Sequence, residues 1–233
     1  MFLADRLDVP DDTRALLFDM DGVLLDTLAM DVELVNRLIA TQAGLDTQVT
    51  REVIRESFPY PVAEFWERIL HASGIHLDAD DIRRLVDAHE DERRTTAAPV
   101  HDGILDILLA ARGRGLKVAV VSNNPTGDID DVLAIAGLRD HVDVVVGNDL
   151  ASVAPKPAPD PYLQAAHRLG VSPELCVAIE DSLLGAQSAH RAGCFTVVVA
   201  TGANTLEELR ASGLAHVSYA HFRQPMTSVP GLT

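Results

Sequence analysis

Cysteine, positive charge, long apolar runs and metal-type histidine spacing are all scarce in this chain, and each scarcity closes off a class of function. Only Cys176 and Cys194 are present. They lie in or beside apolar runs expected to be strands, so buried thiols are expected rather than a disulfide or a cysteine metal site. Lys and Arg number 19 against 35 Asp and Glu, a net charge of -16. That balance argues against nucleic acid and against anionic membranes, both of which need a basic surface. Apolar runs such as Phe195 to Ala200 fall far short of the roughly 18 residues of a membrane helix. Met1 to Pro10 carries Asp5, Arg6 and Asp8 instead of a basic start and an apolar middle, so it does not read as a secretory leader. The nine histidines show neither HExxH nor His-x-His spacing, which removes the usual zinc patterns. A soluble, cytoplasmic protein, monomer or homodimer, is the expectation. An anionic substrate would meet an unfavourable overall field, and a bound divalent metal is the simplest local remedy.

What is present is hydrophobic content of 47% over 233 residues, enough for one large domain or a core with a smaller insert. Ala15 to Phe18 is a short run of mostly large apolar residues that ends abruptly in Asp19, as a fully buried strand does at a sheet edge. Further strands are expected at Lys117 to Val121, Val142 to Val146, Cys176 to Ile179 and Phe195 to Val199. Helical patterns lie between them at Gly103 to Arg114, Asp128 to Ala136, Pro161 to Leu169 and Leu183 to Ala192, with Gly137, Gly170 and Gly193 as C-terminal stops. This alternation predicts an α/β fold: a Rossmann-like parallel sheet covered by helices on both faces, with its site at the carboxyl ends of the strands. From Leu28 to Ala98 the alternation stops. Leu28, Val32, Val35 and Ile39 share one helix face, Phe65, Ile69 and Leu70 a second, and Ile82, Leu85, Val86 and His89 a third. The reading is therefore a discontinuous core, 1–27 and 99–233, carrying an inserted helical domain over 28–98 above the end of the first strand. The termini, Met1 to Asp12 and Gln224 to Thr233, are expected to be loose.

Four segments carry chemistry. Asp19 and Asp21 stand two apart at a strand end, where both carboxylates can project to one side and Gly22 permits the following turn. A carboxylate beside Mg2+ stays ionised and can attack phosphorus, while a neighbouring carboxyl can protonate a leaving oxygen and later deprotonate water. Alone, the pair reads equally well as a polar turn. Ser122-Asn123-Asn124 follows the second strand, where a hydroxyl and a backbone N–H can hold a phosphate oxygen or simply cap a helix. Lys156 stands between Pro155 and Pro157 on a stiffened loop. Glu180-Asp181-Ser182 follows the fourth expected strand and supplies the hard oxygen ligands that Mg2+ prefers, or else a plain cap. Asp128, Asp130 and Asp131 read as favourable charges at a helix N-terminus, and Arg93 and Arg94 as part of a solvated face of mixed charge over Asp87 to Arg94.

The ordered set, spread from Ala15 to Gly202, resembles the haloacid dehalogenase (HAD) superfamily of aspartyl phosphotransferases. Phe18 to Thr27, Lys156 to Asp160 and Glu180-Asp181-Ser182 are most similar to the branch of β-phosphoglucomutase and phosphoglycolate phosphatase, whose members carry a helical cap after the first strand. The resemblance implies Asp19 as nucleophile and Asp21 as general acid and base. It implies Ser122 and Lys156 on the transferring phosphoryl group, with Asn123 assisting. It also implies Mg2+ held by the carboxylates of Asp19, Glu180 and Asp181 and the main-chain carbonyl of Asp21.

Two departures from β-phosphoglucomutase bear on the outcome. Asp31 stands where that enzyme has a histidine, ten residues after the second carboxylate. Its cap loop with glycine and arginine corresponds here to Ser57 to Ala63, where Phe58-Pro59-Tyr60-Pro61 has neither residue. With no cation expected in the cap to anchor a second phosphate, hydrolysis of a small phosphorylated metabolite is favoured over mutase isomerisation. Phe58 and Tyr60 are the expected substrate contacts of the cap. A non-catalytic phosphoacceptor module is the remaining alternative, and it would need neither Asp21 nor a lid.

Overall fold

The computed structural model describes residues 9–223 apart from 59, 61, 97 and 150–152. The expectations for Met1 to Asp8, for Gln224 to Thr233, and for Pro59 and Pro61 lie outside the described residues. Six parallel strands form one sheet: β1 Ala15–Phe18, β2 Lys117–Val121, β3 Val144–Val146, β4 Cys176–Glu180, β5 Phe195–Val199 and β6 Val217–Tyr219. Their order is β3-β2-β1-β4-β5-β6. The chain winds outward from β1 in one direction and resumes on its other side at β4. The winding therefore reverses between β1 and β4, and a crevice opens there at the carboxyl ends of the strands.

Alternation along each strand decides which helices cover which face. Leu16, Phe18, Val118, Val120, Val177 and Ile179 point to one side, where they pack on Ile104, Ile107 and Leu108 of α5 (Ile104–Gly113) and on Ile129 and Leu133 of α6 (Thr126–Ile135). Ala15, Leu17, Ala119 and Ala178 point to the other, and these mostly small side chains let α7 (Asp160–Leu169) approach with Tyr162, Ala165 and Ala166, beside Ala189 of α8 (Leu183–Arg191). Gly137, Gly170 and Gly193 all adopt positive φ at helix ends, as expected of C-terminal stops.

Three details differ from expectation. Strand β3 begins at Val144: the Asp143 N–H still donates to Val118 O at 2.9 Å, but the Val118 N–H goes to the Asp143 carboxylate at 2.8 Å instead of to a backbone carbonyl. Strand β6 and the short helix before it, α9 (Leu206–Ala211), were not anticipated; at three and six residues they are too short to carry a period.

Between β1 and α5 the described residues form four helices and no strand: α1 Thr27–Gln42, α2 Arg51–Ser57, α3 Val62–Ala72 and α4 Ala79–Thr95. Three had left a hydrophobic period in the sequence, and α2, seven residues long, had not. They enclose their own apolar cluster, with Leu34, Ile39, Ile54, Trp66 and Ile69 all buried. The chain leaves and returns through one point, where the Asp26 N–H donates to Pro99 O at 2.8 Å and the His101 N–H to Leu24 O at 3.0 Å. This layer sits over the end of β1.

Candidate active site

Asp19 is the first residue past β1, and its N–H still donates to Ile179 O at 3.0 Å, so the strand ladder fixes its backbone. Its carboxylate accepts from Lys156 Nζ at 2.5 Å. Lys156 reaches it from the loop before α7, which carries a cis Lys156–Pro157 peptide. Asn123 brackets that loop, accepting from the Lys156 N–H at 3.0 Å and donating to its carbonyl at 3.4 Å. The ammonium has two more acceptors, Val121 O at 2.8 Å and Glu180 Oε1 at 2.6 Å, so all three of its protons are placed. Burial pulls the Lys156 pKa down, but Asp19 and Glu180 outweigh burial and leave it raised.

Glu180 is wholly buried at the end of β4. Its Oε1 accepts from the Tyr162 hydroxyl at 2.6 Å as well as from Lys156, and its Oε2 from the Ser182 hydroxyl at 3.1 Å. Asp181 follows, buried, with Oδ2 accepting from the Ala203 N–H at 2.8 Å. Gly22 and Gly202 pack against it. A Cβ on either would run into Asp181 Oδ2, and Gly22 also adopts φ +80°, so a side chain is excluded there twice over. Burial, reinforced by Glu180, pushes the Asp181 carboxyl up to about 8. Burial also pushes Asp19 well above the usual carboxylate range; Lys156 opposes this, while Glu180, Asp181 and Asp21 add to it.

One ammonium thus faces three buried carboxylates, and one oxygen from each of Asp19, Glu180 and Asp181 lies within 4.8 Å of the others. An all-oxygen set with excess negative charge fits a hard divalent cation such as Mg2+, which would relieve the repulsion that raises these pKa values.

The Asp21 carboxylate takes its hydrogen bonds from outside this cluster. Its Oδ2 accepts from Asn124 Nδ2 at 2.7 Å and its Oδ1 from Arg93 Nη2 at 2.6 Å. Arg93 is therefore not part of a solvated face. It is about two-thirds covered, with Nη1 3.8 Å from the buried carboxylate of Asp31, which in turn lies 3.4 Å from His89 Nε2. Burial disfavours its charge, and Asp31 and then Asp21 restore it, so the Arg93 pKa is raised. The expectation that the helical layer offers the site no cation is corrected. The cation comes from the last turn of α4 rather than from position 31 or the 57–63 segment. The signal was in the sequence, since Leu85 and His89 are the buried residues of α4, with Ile82 half-buried on the same face, and Arg93 is the next member at i+4.

Ser122 is buried just past β2, its N–H donating to Val146 O at 3.0 Å and its Oγ accepting from the Asn124 N–H at 3.2 Å. All the site residues expected from the sequence therefore meet at one sheet edge. Asp19, Asp21, Ser122, Asn123, Lys156 and Asp181 line a cleft of about 850 Å3 that Phe58, Tyr60, Arg93 and Arg94 border from the helical layer. Not foreseen are the contacts that Arg93, Asn124, Tyr162 and Ala203 make with a neighbour's side chain.

Comparison with known proteins agrees with this geometry. The haloacid dehalogenase-like hydrolase family matches residues 13–193. Over 91% of this chain and 92% of its own length, the N-acetylmuramic acid 6-phosphate phosphatase of Pseudomonas aeruginosa is 31% identical. A β-phosphoglucomutase of Mycobacterium tuberculosis is 33% identical over 83% of this chain and 82% of its own. Among solved structures, CbbY of Rhodobacter sphaeroides in complex with phosphate superposes with a TM-score of 0.67 at 28% identity, covering 90% of this chain and 95% of that one. The chain belongs to the haloacid dehalogenase-like hydrolase family, and its enzyme class is that of the HAD-type phosphatases.

Proposed function

We propose that this enzyme is a Mg2+-dependent phosphatase that hydrolyses a small phosphorylated metabolite through an aspartyl phosphate on Asp19. The observation that carries this reading is the Asp19 carboxylate, held 2.5 Å from a buried ammonium on the cleft floor beside two further buried acids. Asp19, Glu180 and Asp181, with the Asp21 carbonyl, would hold Mg2+, which supplies charge neutralisation at the phosphoryl oxygens. Asp19 Oδ forms the bond to phosphorus as the ester bond breaks, and Asp21 gives the departing oxygen its proton. Lys156 and the Ser122 hydroxyl hold the equatorial oxygens in line. Water then adds to phosphorus, Asp21 takes its proton, and the bond to Asp19 breaks to release phosphate. Residues 28–98 act as the cap over a core of 1–27 and 99–233, covering the cleft while the intermediate forms. The two buried free thiols suit a cytoplasmic enzyme.

Arg93 and the 33% identity to a β-phosphoglucomutase keep a sugar-phosphate mutase as a second reading. Hydrolysis is favoured because Arg93 is already shared by two carboxylates, Asp21 and Asp31. The test is phosphate release from an aryl phosphate and from a panel of phosphorylated metabolites, with Mg2+ and with chelator. Turnover that survives chelation would sink the mechanism. Hexose 1-phosphate with a bisphosphate activator, giving isomer instead of free phosphate, would select the mutase.

A further inference from the structure

Several arginines of the helical layer pair with acids on their own helix: Arg68 with Glu64, Arg83 with Asp80, Arg84 with Asp81, Arg94 with Asp91. Two do not. Arg93 leaves α4 to reach Asp21 at 2.6 Å. Arg55 leaves α2 to donate to the Ala203 carbonyl at 3.1 Å, with Glu208 Oε2 at 3.7 Å from the same nitrogen. The capping box of α9 fixes Glu208 in turn, where its Oε2 accepts from the Thr205 N–H at 2.7 Å.

Ala203 is a consequential anchor. Its own N–H holds Asp181 Oδ2 at 2.8 Å. The same loop ties the Thr201 hydroxyl to Gly22 O at 2.5 Å and Asn204 Oδ1 to the Leu183 N–H at 2.9 Å. Any drift of residues 201–204 therefore moves Asp181 and the turn after Asp19 together. The two arginines touch the cleft through different carboxylates, and each crosses from layer to sheet by its side chain, while among the described residues the backbone crosses beside Asp26 and Pro99.

We propose that Arg55 and Arg93 form a two-point clasp through which the helical layer sets the site carboxylates, Arg93 holding Asp21 directly and Arg55 holding Asp181 through Ala203. Both are positioning residues, and the proposal rests on the roles given to Asp21 and Asp181 above. The arms have separable effects. Without Arg93, Asp21 keeps only Asn124 and loses its aim at the leaving oxygen, while Lys156 and Ser122 still bind the phosphoryl group. Without Arg55, the Ala203 carbonyl loses the guanidinium that anchors it, the 201–204 loop is held less firmly, and Asp181 is less well ordered for a metal.

The experiment measures kcat and KM on an alkyl phosphate and, separately, Mg2+ binding by calorimetry without substrate. It uses the wild type, Arg93→Met, Arg55→Met and the two Lys variants. Arg93→Met is expected to lower kcat about tenfold or more with KM and the Mg2+ Kd little changed. Arg55→Met is expected to weaken Mg2+ binding about tenfold, as the loss of an outer partner of a metal ligand does. Lysine at either position should recover part of the loss, and it carries the comparison should a Met variant not fold. Wild-type kcat in Arg93→Met, or a wild-type Mg2+ Kd in Arg55→Met, overturns the clasp, as does a change in thermal stability alone. A wild type that neither binds Mg2+ nor releases phosphate is a different result and refutes the functional reading itself.

Discussion

The sheet and the helical layer hold their polar side chains by different means. Asp19, Ser122 and Asp181 each stand one residue past a strand, and backbone bonds such as Asp19 N–H to Ile179 O and Ser122 N–H to Val146 O place the first two. Asp31, His89 and Arg93 come from α1 and α4 and meet only because those helices pack together, with the His89 ring edge-on to Phe65 at 5.2 Å and to Trp66 at 5.9 Å. A side-chain change in the layer can therefore shift its contacts with the cleft, while the ladder continues to hold Asp19 and Ser122. On the proposed mechanism the chemistry belongs to the sheet, and its adjustment to the helical layer.

The largest expected effect tests the sheet. Asp19→Asn should lower phosphate release from an aryl phosphate by about a thousandfold or more, since it removes the attacking oxygen's charge. Retained turnover would move the chemistry elsewhere. Next comes a matched pair for stability. Lys156→Met leaves Asp19 and Glu180 buried beside no ammonium, which should cost about 3–5 kcal/mol in urea unfolding of the metal-free protein. Arg37→Met removes the 2.9 Å pair with Glu92 in the layer, where Arg37 is half exposed, and should cost less than about 1 kcal/mol. Equal losses would erase the distinction between the two regions.

A third expectation concerns pH. Folding lifts Asp181 from an ordinary 3.8 to about 8, so the folded state binds that proton more tightly than the unfolded state. Its stabilising contribution is full below about pH 4 and is lost as pH rises towards 8. Asp19 shifts in the same direction. The melting temperature of the metal-free protein should therefore fall between pH 5 and pH 8, at about 2–4 °C per kcal/mol lost. Mg2+ should restore it chiefly at the upper end, and Asp181→Asn should flatten the slope. A melting temperature that stays level or rises across that window without metal would show that the acids are not held in a cluster.

The same contrast explains what could be read from the sequence. Asp19, Ser122 and Asp181 were legible because a strand end is visible as the abrupt stop of an apolar run, and the parallel sheet brings all such stops to one edge. Lys156 was legible from its flanking prolines. Arg93 was not, because its place depends on how α4 sits against α1, although its register with Leu85 and His89 offered a clue. Asn124 and Ala203 were hidden for another reason: which of several polar neighbours reaches Asp21, and which amide reaches Asp181, depends on loop geometry that residue type does not encode. Tyr162 is a core residue of α7 apart from the one hydroxyl that meets Glu180.

The smallest expected effects probe whether the sheet's rigidity extends to Glu180. Gly185 lies in the first turn of α8, where a Cβ would overlap both Glu180 carboxylate oxygens. Gly127 lies in the first turn of α6, where a Cβ would meet no atom within 4 Å and φ is not positive. Gly185→Ala must displace the Glu180 carboxylate from Lys156 and Tyr162 and should cost about 1–3 kcal/mol, as overpacking does. Gly127→Ala should instead stabilise by about 0.5–1 kcal/mol, because it restricts the unfolded chain and meets nothing in the folded one. Urea unfolding of the two variants decides the matter. If Gly185→Ala also proves neutral or stabilising, Glu180 moves aside freely, and this corner of the sheet is no stiffer than the helical layer above it.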